Sequence, residues 1–67
     1  MTNADRMRIL MRQHDLALSD VADMTSSSLH TVRSWLKPET VKSYRAMPDH
    51  RLRLLDHEIV QRYSWGP

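Results

Sequence analysis

A chain of 67 residues with no cysteine forms one small domain at most, with no disulfide framework and no thiolate metal site. Its longest uninterrupted apolar runs, such as Ile9-Leu10-Met11, are far short of the ~20 residues that span a bilayer, and the N-terminus has no apolar signal-peptide core, so a cytoplasmic protein with no membrane partner is expected. Ten Lys and Arg stand against eight Asp and Glu, and the one glycine, Gly66, lies in the tail, which excludes every Gly-rich phosphate-cradling loop.

In chain order, Thr2 or Asn3 caps a first helix before Ala4, with Met7, Leu10 and Met11 at helical spacing and Ile9 beside them. The helix is predicted to end near His14-Asp15, where a new apolar pattern starts at Leu16 and Leu18. Ser19 is the expected N-cap of a short second helix, with Asp20 and Asp23 near its positive end and Val21, Ala22, Met24 and Thr25 facing inward. Thr25-Ser26-Ser27-Ser28 is turn chemistry followed by a cap. From Ser28 a third helix carries Leu29, Val32, Trp35 and Leu36 on one stripe, and it stops around Lys37 because Pro38 disfavours helix at the residue before it. His30, Arg33, Ser34 and Lys37 are expected on the opposite face. Residues 38–47 show no sustained period and read as a connector with at most one helical turn. Pro48 then opens a last helix, with Leu52, Leu55, Ile59 and Tyr63 at three- to four-residue spacing and Leu54 and Val60 widening the stripe. Ser64-Trp65-Gly66-Pro67 is a short tail.

Charge is unevenly spread over these elements. Residues 1–27 hold three Arg against four Asp, residues 28–53 hold six cations against Glu39 and Asp49, and residues 54–67 hold Arg62 against Asp56 and Glu58. A basic middle between nearly neutral ends points to a polyanion-binding surface built from one stretch of chain, the alternative being an ordinary solvated face.

The specific signal lies in residues 18–37. A helix-turn-helix needs a small residue where the second helix crosses the first, a turn, and apolar residues on the inner face of the second helix. Ala22 is that small residue, Val32 follows ten positions on and Trp35 three beyond it, with Ser28 as the cap and Thr31 before the valine. This spacing resembles the Cro/cI-type helix-turn-helix family of phage repressors. The resemblance implies an all-α, five-helix, lambda-repressor-like domain over residues 1–63, with a dimerisation helix at about 48–63 and a tail at 64–67. The chain has Leu18 where the family usually has Gln, Thr25 where it has a bulky aliphatic residue, and Ser26 where it has the turn glycine. A serine held in the left-handed region costs on the order of 1 kcal/mol relative to glycine. Ser19 then becomes the substitute for the missing Gln as a phosphate contact.

A second resemblance rests on Ala22, Val32, Arg33, Leu36, Tyr44, Arg45 and Pro48. With the connector Tyr44-Arg45-Ala46-Met47-Pro48 at this distance after Trp35-Leu36, the chain looks like the anti-CRISPR-associated (Aca) regulators of phages and mobile elements. Those are small dimeric proteins that bind inverted repeats in anti-CRISPR operon promoters and repress them.

A reading helix in the major groove meets base edges first with its N-terminal residues. Leu29, His30, Arg33 and Ser34 are the expected base contacts. Arg33 suits O6 and N7 of a guanine, unless a carboxylate claims it; His30 donates to a base or phosphate, or is merely solvated; Leu29 touches a thymine methyl or joins the core. Ser19, Ser28, Thr31, Lys37, Lys42, Tyr44 and Arg45 are the expected phosphate contacts, with Tyr44 alternatively packing over the core. Trp35 is expected as a core anchor. Leu52, Leu55, Ile59 and Tyr63 are expected to pair two copies, the alternative being that the last helix closes the monomer core.

Double-stranded DNA with a palindromic operator is thus the expected partner, bound by a homodimer that represses its own operon. No small-molecule ligand, cofactor or metal is expected, because His14, His30, His50 and His57 are scattered and no nucleophile, base and orienter stand together. Two rivals are an antitoxin, which needs a surface for its toxin, and a protein-interaction module on the same fold that binds no DNA.

Overall fold

A computed structural model describes residues 1–63 of the chain. Their regular structure is entirely helical, with α1 (Asn3–His14), α2 (Leu18–Met24), α3 (Leu29–Leu36) and α4 (Asp49–Tyr63). There are four helices among the described residues, not the expected five. The connector supplies none, because Pro38 interrupts the ladder and only two successive turns follow it, Val41 N–H to the Pro38 carbonyl at 3.0 Å and Tyr44 N–H to the Val41 carbonyl at 3.0 Å. The tail expected at 64–67 lies outside the described residues.

The helix boundaries from the start of α1 to the start of α4 have local causes. Thr2 caps α1 in a capping box: its hydroxyl accepts the Asp5 N–H at 3.1 Å and the Asp5 carboxylate accepts the Thr2 N–H at 3.0 Å. Asp15 ends α1 in the left-handed region at φ 53°, a conformation Asp tolerates better than most residues. At α2 the expected Ser19 cap is corrected to Ala17. Ala17 has no side-chain acceptor, so only the returning half of a capping box forms, with the Asp20 carboxylate accepting the Ala17 N–H at 2.8 Å.

α2 closes in a Schellman arrangement, Ser27 N–H to the Ala22 carbonyl at 2.9 Å and Ser26 N–H to the Asp23 carbonyl at 3.2 Å, with Ser26 at φ 55°. Ser28 caps α3, accepting the Thr31 N–H at 3.1 Å. Lys37 is extended at ψ 154° before Pro38, as the preceding-residue restriction requires. α4 begins one residue later than expected, with the Pro48 carbonyl accepting from Arg51 and Leu52.

The core joins Met7 and Leu10 of α1, Leu16, Val21, Ala22 and Met24 around α2, Val32 and Trp35 of α3, Met47 of the connector, and Leu55 and Ile59 of α4. α2 packs on α3 and α4, and α4 also packs on α1. Leu55 is fully buried and Ile59 nearly so, while Leu52 packs partly buried against them. Leu55 and Ile59 are therefore core residues of the monomer and not a dimer surface, which corrects that expectation: four short helices leave too little apolar area for the core to close without α4. Tyr63 stays exposed, its ring 5.0 Å from that of His14.

Candidate nucleic-acid interface

The position of α3 is fixed from behind. Val32 and Trp35 lie on its buried side, and Ala22 on α2 is buried where the two helices pack. A larger side chain at Ala22 would push the helices apart. The exposed side of α3 carries Leu29, His30 and Arg33. Leu29 is 41% exposed, which settles its alternative against the core. The Arg33 guanidinium has no hydrogen bond or ion pair among the described residues, so none of their carboxylates neutralises it.

Ser34 departs from expectation. It is buried, and its hydroxyl donates to the His30 carbonyl at 2.9 Å. The connector covers it: Arg45 N–H donates to the Ser34 carbonyl at 3.1 Å. The expected outward-facing Ser34 is thereby corrected, since the chain folds back over a side chain that the helical period alone puts near the surface. A pocket of about 250 Å³ remains at this seam, lined by His30, Thr31, Ser34, Ser43 and Arg45.

The other polar residues singled out from the sequence fall into two groups. Ser28 and Thr31 sit at the start of α3, their hydroxyls 2.9 Å apart, and Ser19 is exposed on the first turn of α2. In the connector Lys42 is exposed and its ammonium has no partner among the described residues, while exposed Arg45 folds its guanidinium onto the Lys42 and Tyr44 carbonyls at 3.2 and 2.9 Å. Lys37 is half-buried and donates to the Ser43 hydroxyl at 2.7 Å, so its ammonium is partly committed to holding the connector. Tyr44 is half-buried at a small pocket shared with Trp35 and Arg8.

Three ties invisible to a periodicity argument hold this arrangement. Arg8 donates to the Leu36 carbonyl at the end of α3 at 2.8 Å and to Asp5 at 3.2 Å. Asn3 donates to the Met47 carbonyl at 2.8 Å and to Asp49 at 2.6 Å. Arg51 donates to the Thr25 carbonyl at 2.6 Å. All three reach 26 residues or more along the chain. Asn3 and Arg51 at least lie in the first turn of a helix, whereas Arg8 is in the middle of α1 and carries no sequence signal of its contact.

Some charges outside the exposed side of α3 are paired, Arg6 with Asp56, Arg8 with Asp5, and Arg62 with Asp23 and Glu58. The Thr2 backbone N–H and hydroxyl, with Arg8 beyond them, hold the Asp5 carboxyl below its ordinary pKa. The hydrogen bond from Arg62 to Asp23 raises the arginine's pKa above its usual value, with Glu58 adding to it. The Arg33 and Lys42 side chains have no ion pair among the described residues, a state they share with Arg12 and Arg53. Among the described residues no group of three His, Asp or Glu is placed to hold a metal ion, and no helix is long and apolar enough to cross a membrane.

The chain matches no family model, no curated protein and no solved structure.

Proposed function

We propose that the chain is a sequence-specific double-stranded DNA-binding repressor of the Cro/cI helix-turn-helix type, with α2 and α3 as its two-helix unit. It acts as a homodimer on an inverted-repeat operator and represses its own promoter by occupying it. The observation that carries the reading is the exposed side of α3. His30 and Arg33, the latter with no ion pair among the described residues, stand there on a helix locked from behind by Val32 and Trp35, with Lys42 and Arg45 exposed on the adjoining connector.

An eight-residue helix fits the major groove. Leu29, His30 and Arg33 then face base edges, Arg33 reading a guanine through two parallel hydrogen bonds. Lys42 and Arg45 contact phosphates and set the register without reading sequence. Thr31 and Ser28 lie at the helix start, where backbone N–H groups also favour a phosphate. The likeness of the Tyr44–Pro48 connector to the Aca regulators extends the reading to a phage or mobile-element operon, with anti-CRISPR genes as the regulated class. With Leu55 and Ile59 in the core, the pairing surface moves to the exposed end of α4 at Val60 and Tyr63.

The test is selection from a random duplex pool at ~150 mM salt, where non-specific binding is weakened by counterion competition. Recovery of an inverted repeat with half-site centres about one helical turn apart is the expected result. Retention without sequence enrichment, or no retention, contradicts it.

A further inference from the structure

The C-terminal end of α2 carries a contact that its own segment does not explain. A helix end leaves its last carbonyls without intrahelical donors, and positive charge is favoured there. The Schellman bonds of Ser26 and Ser27 satisfy Asp23 and Ala22. Thr25 is fully buried, its hydroxyl donating back to the Val21 carbonyl at 2.8 Å. Its own carbonyl accepts from Arg51 at 2.6 Å, with the Ser27 hydroxyl a longer second donor at 3.3 Å. Arg51 comes from the first turn of α4 and is half-buried.

Residues 25–28 are the whole connection between α2 and α3, and one of them, Ser26, holds a left-handed conformation without being glycine. A turn with that local cost relaxes unless something outside it holds it. We propose that Arg51 is a positioning residue, latching the α2–α3 turn to α4 and thereby setting the angle at which α3 is presented, without itself touching DNA. Where a turn glycine would avoid the local cost, the charged hydrogen bond offsets it, holding the exit path of the chain after α2. Its consequence for DNA rests on the function proposed above; its consequence for the turn does not.

The test uses the full chain and Arg51→Met, which keeps most of the unbranched stem and removes the donors. Arg53→Met on the same helix is the control, because Arg53 is exposed and has no partner among the described residues. Amide hydrogen exchange followed by NMR is expected to quicken about tenfold at Ser26 and Ser27 in Arg51→Met. The amides of α1 and the Arg53→Met protein stay unchanged, and Arg51→Lys recovers part of the protection. Unchanged protection at Ser26 and Ser27 overturns the latch, as does an even loss across all helices, which would make Arg51 a general stabiliser. With a selected duplex, the ratio of specific to non-specific affinity is expected to fall about tenfold in Arg51→Met, while the dependence of binding on salt keeps its slope. A slope reduced by about one unit identifies Arg51 as a phosphate contact and overturns the proposal. If the wild-type chain binds no DNA, the proposed function fails, and the exchange result alone decides the latch.

Discussion

Arg45 donates its backbone N–H to the carbonyl of Ser34 across 3.1 Å, stitching the basic connector to the flank of α3. The connector is therefore not a free loop. Met47 anchors its far end in the core, and Lys37 and Ser43 close its near end at 2.7 Å. Arg45 is thereby held beside His30, with which it lines one pocket, and exposed Lys42 belongs to the same stitched connector, an arrangement that the proposed reading of sequence and fixing of register require.

Arg33 and Lys42 are expected to fail differently. Arg33→Ala should leave thermal unfolding unchanged and cost roughly 1–3 kcal/mol of discrimination at one base pair of the site. Lys42→Ala should weaken binding to all sequences alike and reduce the slope of log affinity against log salt by about one. Competition binding over a salt series checks both, and the opposite assignment of effects would show that α3 is not the reading helix.

Ser26→Gly should stabilise the protein. Ser26 is left-handed at φ 55°, a region where glycine has no Cβ penalty. A gain of about 0.5–1 kcal/mol in urea unfolding is expected, net of the greater flexibility of glycine in the unfolded chain. A loss of stability would mean that the Ser26 side chain makes a compensating contact.

The apolar period made α1, α3 and α4 legible in the sequence, and Ser28 and Pro38 marked both ends of α3, because caps and proline act locally. The strained Ser26 could be foreseen from the missing glycine. What the sequence concealed depended on chain folding back on itself. Ser34 has the spacing of an outer-face residue and is covered by the connector. Leu55 and Ile59 have the spacing of an interface, but periodicity identifies an apolar stripe without saying what it packs against. Ala17 replaced Ser19 as the cap of α2 because the Asp20 carboxylate reaches back to it, so the acceptor came from within the helix.

Leu55 and Tyr63 separate the core from the proposed pairing surface. Leu55→Ala should cost about 2–5 kcal/mol, enough to unfold much of so small a domain, by the same amount at every protein concentration. Tyr63→Ala should leave the helical signal intact and shift the monomer–dimer balance toward monomer in sedimentation experiments. A dimer unaffected by Tyr63→Ala would place the two-fold contact away from the end of α4.

Asp5 gives acid stability a direction. Its folded pKa is held below the unfolded value by the Thr2 backbone N–H and hydroxyl and by Arg8. Its contribution is therefore complete above the unfolded value near 4 and is lost as pH falls through the lower folded value. Melting curves of wild type and Asp5→Asn should differ at pH 6, with the variant less stable, and converge toward pH 2. A gap that persists at pH 2 would assign the effect to something other than carboxylate ionisation.

If the chain binds DNA as proposed, the exposed side of α3 meets the duplex. An NMR titration of the isotope-labelled chain with a duplex carrying the selected site tests it most directly. Amide shifts centred on His30 and Arg33, with side effects at Lys42 and Arg45 and little change at Arg6 or Asp56, are the predicted result. Shifts confined to α1 and α4, or none at saturating duplex, would contradict it.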